Sequence, residues 1–345
     1  LITSVIGIVV VIGIILVVAI KYFLKNSKYE EYTPVETKSQ EFKKIYNELY
    51  SKNKRKLEKL KKSVASKYII FGIVLLLLFV ITISIIPQHK LDGTVFEAIV
   101  AIFLGIISVF AIFMQKYKKK YAGEYKQDII SKFVKLVNEN LEYKSISTFA
   151  MSAEPEYRIA NFDDKFFDRF YQDDYIEGNI EKDVNMKIFD IHIQNVKKSR
   201  NRRYTEDVFQ GIFARCTSSN DVETTIKITK NKLKILDSKE RIQMDSGEFE
   251  KYFDVYAEDK ITAMRILTSD VMQCLIDFQN KYNLDFEIVF KNNVIYSRFF
   301  TGPMFEPKIM GDAMDEGLIF RYYTILKFII DITQTVNASK KDLDI

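Results

Sequence analysis

Tryptophan is missing from this chain, and cysteine, histidine and proline are scarce, at two, two and five residues in 345. Cys216 and Cys274 stand far apart, with no CxxC and no nearby His. They fit a reducing compartment, as small buried apolar residues, with a metal or redox pair as the lesser alternative. His89 lies in a polar turn and His192 in a strand-like run, and neither has a Cys or His partner at metal spacing, so zinc chemistry lacks support. The 12 glycines are scattered, and no G-x-S-x-G, P-loop or G-x-G-x-x-G occurs. That argues against hydrolase, nucleotide-triphosphatase and dinucleotide-binding classes. No catalytic residue, metal or cofactor is expected.

Charge is also absent, but only locally. Residues 1–20, 68–86 and 98–115 carry none, while the rest of the chain is charge-rich, and the mean hydropathy of −0.07 conceals the division. Such a division marks a membrane protein with a large water-facing part. Residues 2–20 contain fourteen Val, Ile or Leu, worth about 5–6 kcal/mol in favour of the bilayer. A cleaved signal peptide is the weaker alternative, because Lys21, Lys25 and Lys28 follow the apolar run. Leu1 reads as either a trimmed end or an alternative start. Residues 68–86 and 95–114 are the second and third spans, joined by a turn that opens at Pro87. Glu97 falls within one turn of the third span's start and is read as interfacial.

The excess positive charge follows the same division. Residues 21–67 hold 14 Lys/Arg against 6 Asp/Glu, and four lysines follow the third span at 116–120. Beyond them, residues 121–345 hold 32 Lys/Arg against 38 Asp/Glu, a net −6. The basic pI therefore gives no reason to expect nucleic acid. The positive-inside rule puts the N-terminus outside and the C-terminal part in the cytoplasm. The surplus of Lys, Ile and Asn suggests an AT-rich bacterial genome, hence a multi-pass protein of the bacterial cell membrane.

Four regions result: a first transmembrane helix (1–24), a basic cytoplasmic amphipathic helix (25–67), a transmembrane hairpin (68–114) and a cytoplasmic α+β domain (115–345). In the second, Phe42, Tyr46, Leu49, Tyr50, Leu57, Leu60 and Val64 recur at helical spacing, interrupted by Asn53. Its lysine face, including Lys54, Arg55, Lys56, Lys59, Lys61 and Lys62, is a candidate for lipid headgroups of the bilayer. Residues 36–66 are also the candidate surface for a protein partner or self-association.

In the C-terminal part, residues 121–143 read as a helix. The period then changes to two in "YIEGNI", "NMKIFDIHIQNV", "DVFQGIFARC", "ETTIKITK" and "LKILD". "KKSRNRR" (197–203) and "TKNKL" (229–233) read as turns, the former as a solvated hairpin tip before any contact with lipid headgroups or RNA phosphates. A further strand pair spans "DFEIVFKNNVIYSRFF", turning at Asn292-Asn293, and an amphipathic helix closes the chain. The sum is an α+β domain with a mainly antiparallel sheet.

Two acidic features invite chemistry. Asp163, Asp164, Asp168, Asp173, Asp174 and Glu177 form the best candidate for a divalent cation, although the spacing matches no EF-hand and solvated surface is the usual meaning. Glu258 and Asp259 resemble an acid pair. The favoured reading makes Asp259 the N-cap of a helix on which Ile261, Met264, Leu267, Val271, Leu275 and Phe278 recur, with Thr268 as a second cap.

Five blocks, "DDYIEGNI" (173–180), "VFQGIFARC" (208–216), "FEKYFDVYAEDKITAMRILTSDVM" (249–272), "FKNNVIYSRF" (290–299) and "MFEPKI" (304–309), resemble the bacterial membrane family catalogued as domain of unknown function 3137. The resemblance covers most of 116–335 and implies two closely spaced spans before the domain. It brings no chemistry with it. A membrane-anchored interaction or scaffold module is expected, with a small-ligand or cation sensor or enzyme using the acidic cluster as the alternative.

Overall fold

The computed structural model describes residues 39–85, 93–145, 152–162, 166–199, 202–231, 241–309 and 311–341. The expected first span, the turn at 87–92, Asp163, Asp164 and the strand "LKILD" lie outside the described residues.

Two long helices come first. Helix α1 (Gln40–Ile85) has 46 residues, about 69 Å at 1.5 Å per residue. It joins the basic segment and the second span without a break. Phe42, Ile45, Leu49, Asn53, Leu57, Val64, Tyr68, Leu75 and Phe79 form one buried stripe along it. Asn53 thus lies within the stripe, where its side-chain amide donates to the Leu49 carbonyl at 2.9 Å and so needs no water. Helix α2 (Gly93–Tyr125) continues through a π-helical turn (Lys126–Ile130) into α3 (Ser131–Val137).

The chain divides into two compact units, the first holding Leu49–Ile129 and Glu306–Asp315. Here α1 and α2 run antiparallel along a ladder of ring contacts: Phe79–Phe103 at 5.2 Å, Phe71–Phe110 at 3.5 Å and Tyr68–Phe110 at 5.7 Å. Where the sequence turns polar, ion pairs replace rings, and Lys56 meets both Glu124 and Asp128 at 2.6 Å. The segment 306–315 packs on this polar half. Tyr121 donates to the Lys308 carbonyl at 3.1 Å, and the Ala313 amide donates to Glu58 at 2.9 Å.

The second unit contains Ile130–Phe305 and Glu316–Ile345, with the start of α1. The helix expected to reach residue 143 stops at Val137. Asn138 is extended and its side chain accepts from the Asn140 amide at 3.0 Å, a local bond that competes with the helix. The next residues form β1 (Leu141–Ser145), the outer strand beside β2 (Arg169–Glu181). Then come β3 (Val184–Ser199), β4 (Arg202–Lys230), β5 (Arg241–Ile242), β6 (Phe253–Ala257) and β7 (Phe286–Phe299), every pairing antiparallel.

Two of these segments double back. Fully extended, the 14 residues of β7 would span about 45 Å. Instead the Phe300 amide donates to the Asp285 carbonyl at 3.0 Å, and Phe286 and Phe299 lie 5.8 Å apart. The bend is at Asn292, whose φ of 53° asparagine tolerates. One arm pairs with residues 212–217 of β4 and the other with 226–228. Because the arms of β7 run in opposite directions, those of β4 must as well. The sheet therefore runs β1, β2, β3, first arm of β4, second arm of β7, first arm of β7, second arm of β4, β6, β5.

Helices cover both faces of this sheet. On one, α4 (Glu154–Ala160) sets Tyr157, followed by Phe162, among Phe189, Phe209, Phe213 and Tyr296. On the other, after the short α5 (Phe249–Tyr252), lie α6 (Lys260–Ile266), α7 (Ser269–Tyr282) and α8 (Glu316–Lys341). Phe278 stacks on Phe328 at 3.8 Å, against Phe286 and Phe299 of the sheet. Helix α8 is buried on nearly every side from Leu318 to Ile330, so it is a core helix rather than an amphipathic one. Gly211 is required where it stands: a Cβ there would lie 2.0 Å from the Phe299 carbonyl oxygen.

Arg298 is 4% exposed and Glu287 8% exposed, facing each other across the β7 hairpin. The guanidinium contacts Glu287 at 2.8 Å and donates to the Tyr157 hydroxyl at 2.6 Å. The rings of Phe162, Phe300 and Phe209 surround it at 4.7, 5.1 and 5.4 Å.

Candidate functional site

On the helical hairpin, one side of every turn of α1 faces α2, through Tyr68, Leu75 and Phe79, and the other side faces outward. Fifteen large apolar residues do so: Ile69, Ile70, Ile73, Val74, Leu77, Leu78, Val80 and Ile81 on α1, and Val95, Ile102, Leu104, Ile106, Val109, Ile112 and Phe113 on α2. Soluble surfaces do not carry apolar patches of this extent without a partner. The belt stops abruptly at Lys67 on one helix and at Lys116 on the other. Two helices are thus long and apolar enough to cross a membrane, with hydropathies of 2.6 and 2.5 over their most apolar windows.

The basic face divides according to partners within the same unit. Lys54 pairs with Asp312 at 3.4 Å, Lys56 with Glu124 and Asp128, and Lys61 with Glu58 at 2.8 Å and with the Gly311 carbonyl. Arg55, Lys59 and Lys62 are exposed. The partners come from the 306–315 segment for Lys54 and Lys61 and from the α2 side for Lys56, placements with no signal in the local sequence.

Of the acidic cluster, Asp168, Asp173, Asp174 and Glu177 fall within the described residues, on or just before β2, and carboxylate oxygens of Asp173 and Asp174 come within 4.8 Å of each other. Asp168 is exposed and accepts from the Val196 amide at 2.6 Å. Asp173 is exposed, while Asp174 is buried and accepts from the Tyr143 hydroxyl. Glu177 accepts from Lys144 and from the Tyr175 hydroxyl, and it borders an open concavity of about 610 Å³ with Glu142, Asn179 and Asn185. The Lys144 ammonium, and then the Tyr175 hydroxyl, hold the Glu177 carboxyl below the usual glutamate value of 4.5. Its contribution to stability is complete above that value and is lost as pH falls through the lower folded value. Thermal melts stepped from about pH 5 to 3 should therefore fall less steeply for Glu177→Gln than for the parent.

Asp259 is the N-cap of α6, its carboxylate accepting from the amides of Ile261 at 3.1 Å and Thr262 at 2.9 Å. The Thr262 hydroxyl, and then its amide, lower the Asp259 pKa. Glu258 is exposed. Ile261 is 80% exposed, not part of the apolar stripe. The chain breaks at Leu267 and restarts at Thr268, the cap of α7, so α6 takes its own rotational phase. Burial pushes the thiols up to about 12 at Cys216 and about 11 at Cys274, which disfavours the reactive thiolate at neutral pH.

These features define a two-part protein, an apolar helical hairpin in one chain with an α+β domain on an antiparallel sheet. Residues 207–338 match the model of a family described as "Protein of unknown function (DUF3137)". The resemblance read from the sequence is borne out over that segment, while the block at 173–180 falls outside it. No curated protein matches the chain. Among solved structures, the crystal structure of the mycobacterial trehalose monomycolate transport factor A, TtfA, is similar at 9% identity. That match covers 56% of this chain and 88% of the other, with a TM-score of 0.29, too slight to assign a shared fold.

Proposed function

We propose that the protein is a bacterial integral membrane protein whose α+β domain serves as an interaction or scaffold module at the cytoplasmic face. The observation that carries this is the belt of fifteen outward-facing apolar residues on α1 and α2, bounded by lysines. Lipid satisfies such a belt, and helical backbone satisfies its own hydrogen bonds within the bilayer. Residues 1–24 add a first span, and the lysine distribution puts the N-terminus outside and the domain inside. Between Phe42 and Val64 the stripe of α1 is buried by the chain itself, which leaves partner binding there to the outer, charged face. The alternative is a small-ligand or divalent-cation sensor or enzyme using the acidic cluster 163–177, in which Asp168, Asp174 and Glu177 each accept a hydrogen bond.

The test is site-directed thiol labelling of intact cells, in which the native thiols stay nearly silent. Gln88→Cys should react with a membrane-impermeant maleimide from outside. Lys251→Cys, in the domain, should react only after permeabilisation. The opposite pattern would overturn the orientation, and extraction of the parent protein by alkaline carbonate would overturn membrane integration itself.

A further inference from the structure

We propose that the free ends of β3 and β4 form a headgroup-binding arm, in which Lys197, Lys198, Arg202 and Arg203, with Tyr204, rest on the phosphates of an anionic bilayer. This rests on the membrane anchoring proposed above and adds a second point of contact. The ladder between β2 and β3 ends at Arg169↔Gln194, whereas β3 and β4 stay paired out to Ser199↔Arg202. On its other edge β4 meets β7 only from Ile212 onward. Residues 197–199 and 202–204 therefore project as a two-stranded ribbon with no third strand beside it among the described residues, and all six are exposed.

Its charge runs against that of the domain. Residues 121–345 are net negative, with 32 Lys/Arg against 38 Asp/Glu, yet the ribbon tip gathers four cations. The register sets Lys198 directly opposite Arg203, a like-charge pair that weakens a ladder, in a place that adds nothing to the core. Lys197 has Glu206 as its partner. Beyond the backbone ladder, the side chains of Lys198, Arg202 and Arg203 make no hydrogen bond or ion pair among the described residues. Tyr204, 51% exposed and opposite Lys197, is the kind of aromatic that settles at a membrane interface. A single tyrosine makes a poor stacking platform for bases, which favours lipid phosphate over RNA. Each well-placed cation strengthens attachment to an anionic surface roughly fivefold, and tethering to the bilayer makes even a weak contact effective.

Because the chain has no tryptophan, Tyr204→Trp makes the arm its own reporter. The full-length variant is reconstituted into vesicles of phosphatidylcholine alone or mixed with phosphatidylglycerol. Integration is measured separately by alkaline carbonate. The expected result is a blue-shifted emission, quenched by lipids brominated near the headgroup, only in the anionic vesicles and reversed by high salt. Adding Lys198→Glu, Arg202→Glu and Arg203→Glu should weaken the contact roughly a hundredfold and remove the shift. Equal emission in neutral and anionic vesicles would overturn the proposal. So would a shift produced by single-stranded RNA in neutral vesicles and not by anionic lipid. Carbonate extraction of the parent would defeat the anchoring proposal, while the emission would still report whether the arm binds the surface.

Discussion

Arg298→Met should destabilise the α+β domain by about 3–5 kcal/mol, the usual cost of leaving one member of a buried ion pair without its partner. Glu287 is 8% exposed, and its carboxylate would lose the guanidinium that contacts it at 2.8 Å. For a domain of this size that corresponds to a melting midpoint lowered by roughly 10 °C. The double variant Arg298→Met with Glu287→Leu should recover most of the loss, because apolar groups of similar volume fit among Phe162, Phe209 and Phe300. Tyr157→Phe should cost about 1 kcal/mol, one hydrogen bond to a charged group less the packing it retains. Thermal melts of the four proteins in the same detergent decide the matter. Equal losses in the single and double variants would mean that the arginine acts by filling space and not by charge.

The second large effect is expected in the membrane. Leu77 and Leu104, 56% and 56% exposed, sit near the middle of the two apolar stretches. Changing each to Arg raises the insertion free energy by about 3–4 kcal/mol per site. Together that is about 6–8 kcal/mol, comparable with the ~6 kcal/mol contributed by fifteen exposed apolar side chains. The hairpin should then fail to insert, whether or not residues 2–20 still hold the chain. In a Gln88→Cys background, maleimide labelling from outside should disappear in the double Arg variant and persist in Leu77→Ala with Leu104→Ala. Unchanged labelling in the Arg variant would show that the belt does not face lipid.

Much of this molecule is local and therefore legible. Charge-free runs of about twenty residues, the lysines at their ends and the short polar residues at helix starts need no knowledge of distant partners. The α1 stripe was legible in part. Phe42, Leu49, Leu57 and Val64 are buried, but so is Ile45, whereas Tyr46, Tyr50 and Leu60 are half-buried. Asn53 reads as an interruption because its bond to the Leu49 carbonyl is invisible in a hydropathy pattern. The misplaced features depend on small local competitions or distant contacts. Asn138 stops a helix whose apolar period runs on, and the break at Thr268 frees Ile261 to face solvent.

By itself the sequence determined that two apolar helices flank a short turn, that an antiparallel α+β region follows, and that positive charge belongs beside the apolar runs. It also marked a bend at Asn292-Asn293 and set out the two apolar stretches that become the arms of β4. Only the tertiary structure decided that those arms do not pair with each other but receive the β7 hairpin between them, which brings Arg298 against Glu287 in the core. The reason is physical: alternation fixes which face of a strand is buried, whereas every strand edge offers the same backbone donors and acceptors, so the choice of neighbour falls to packing across the whole sheet.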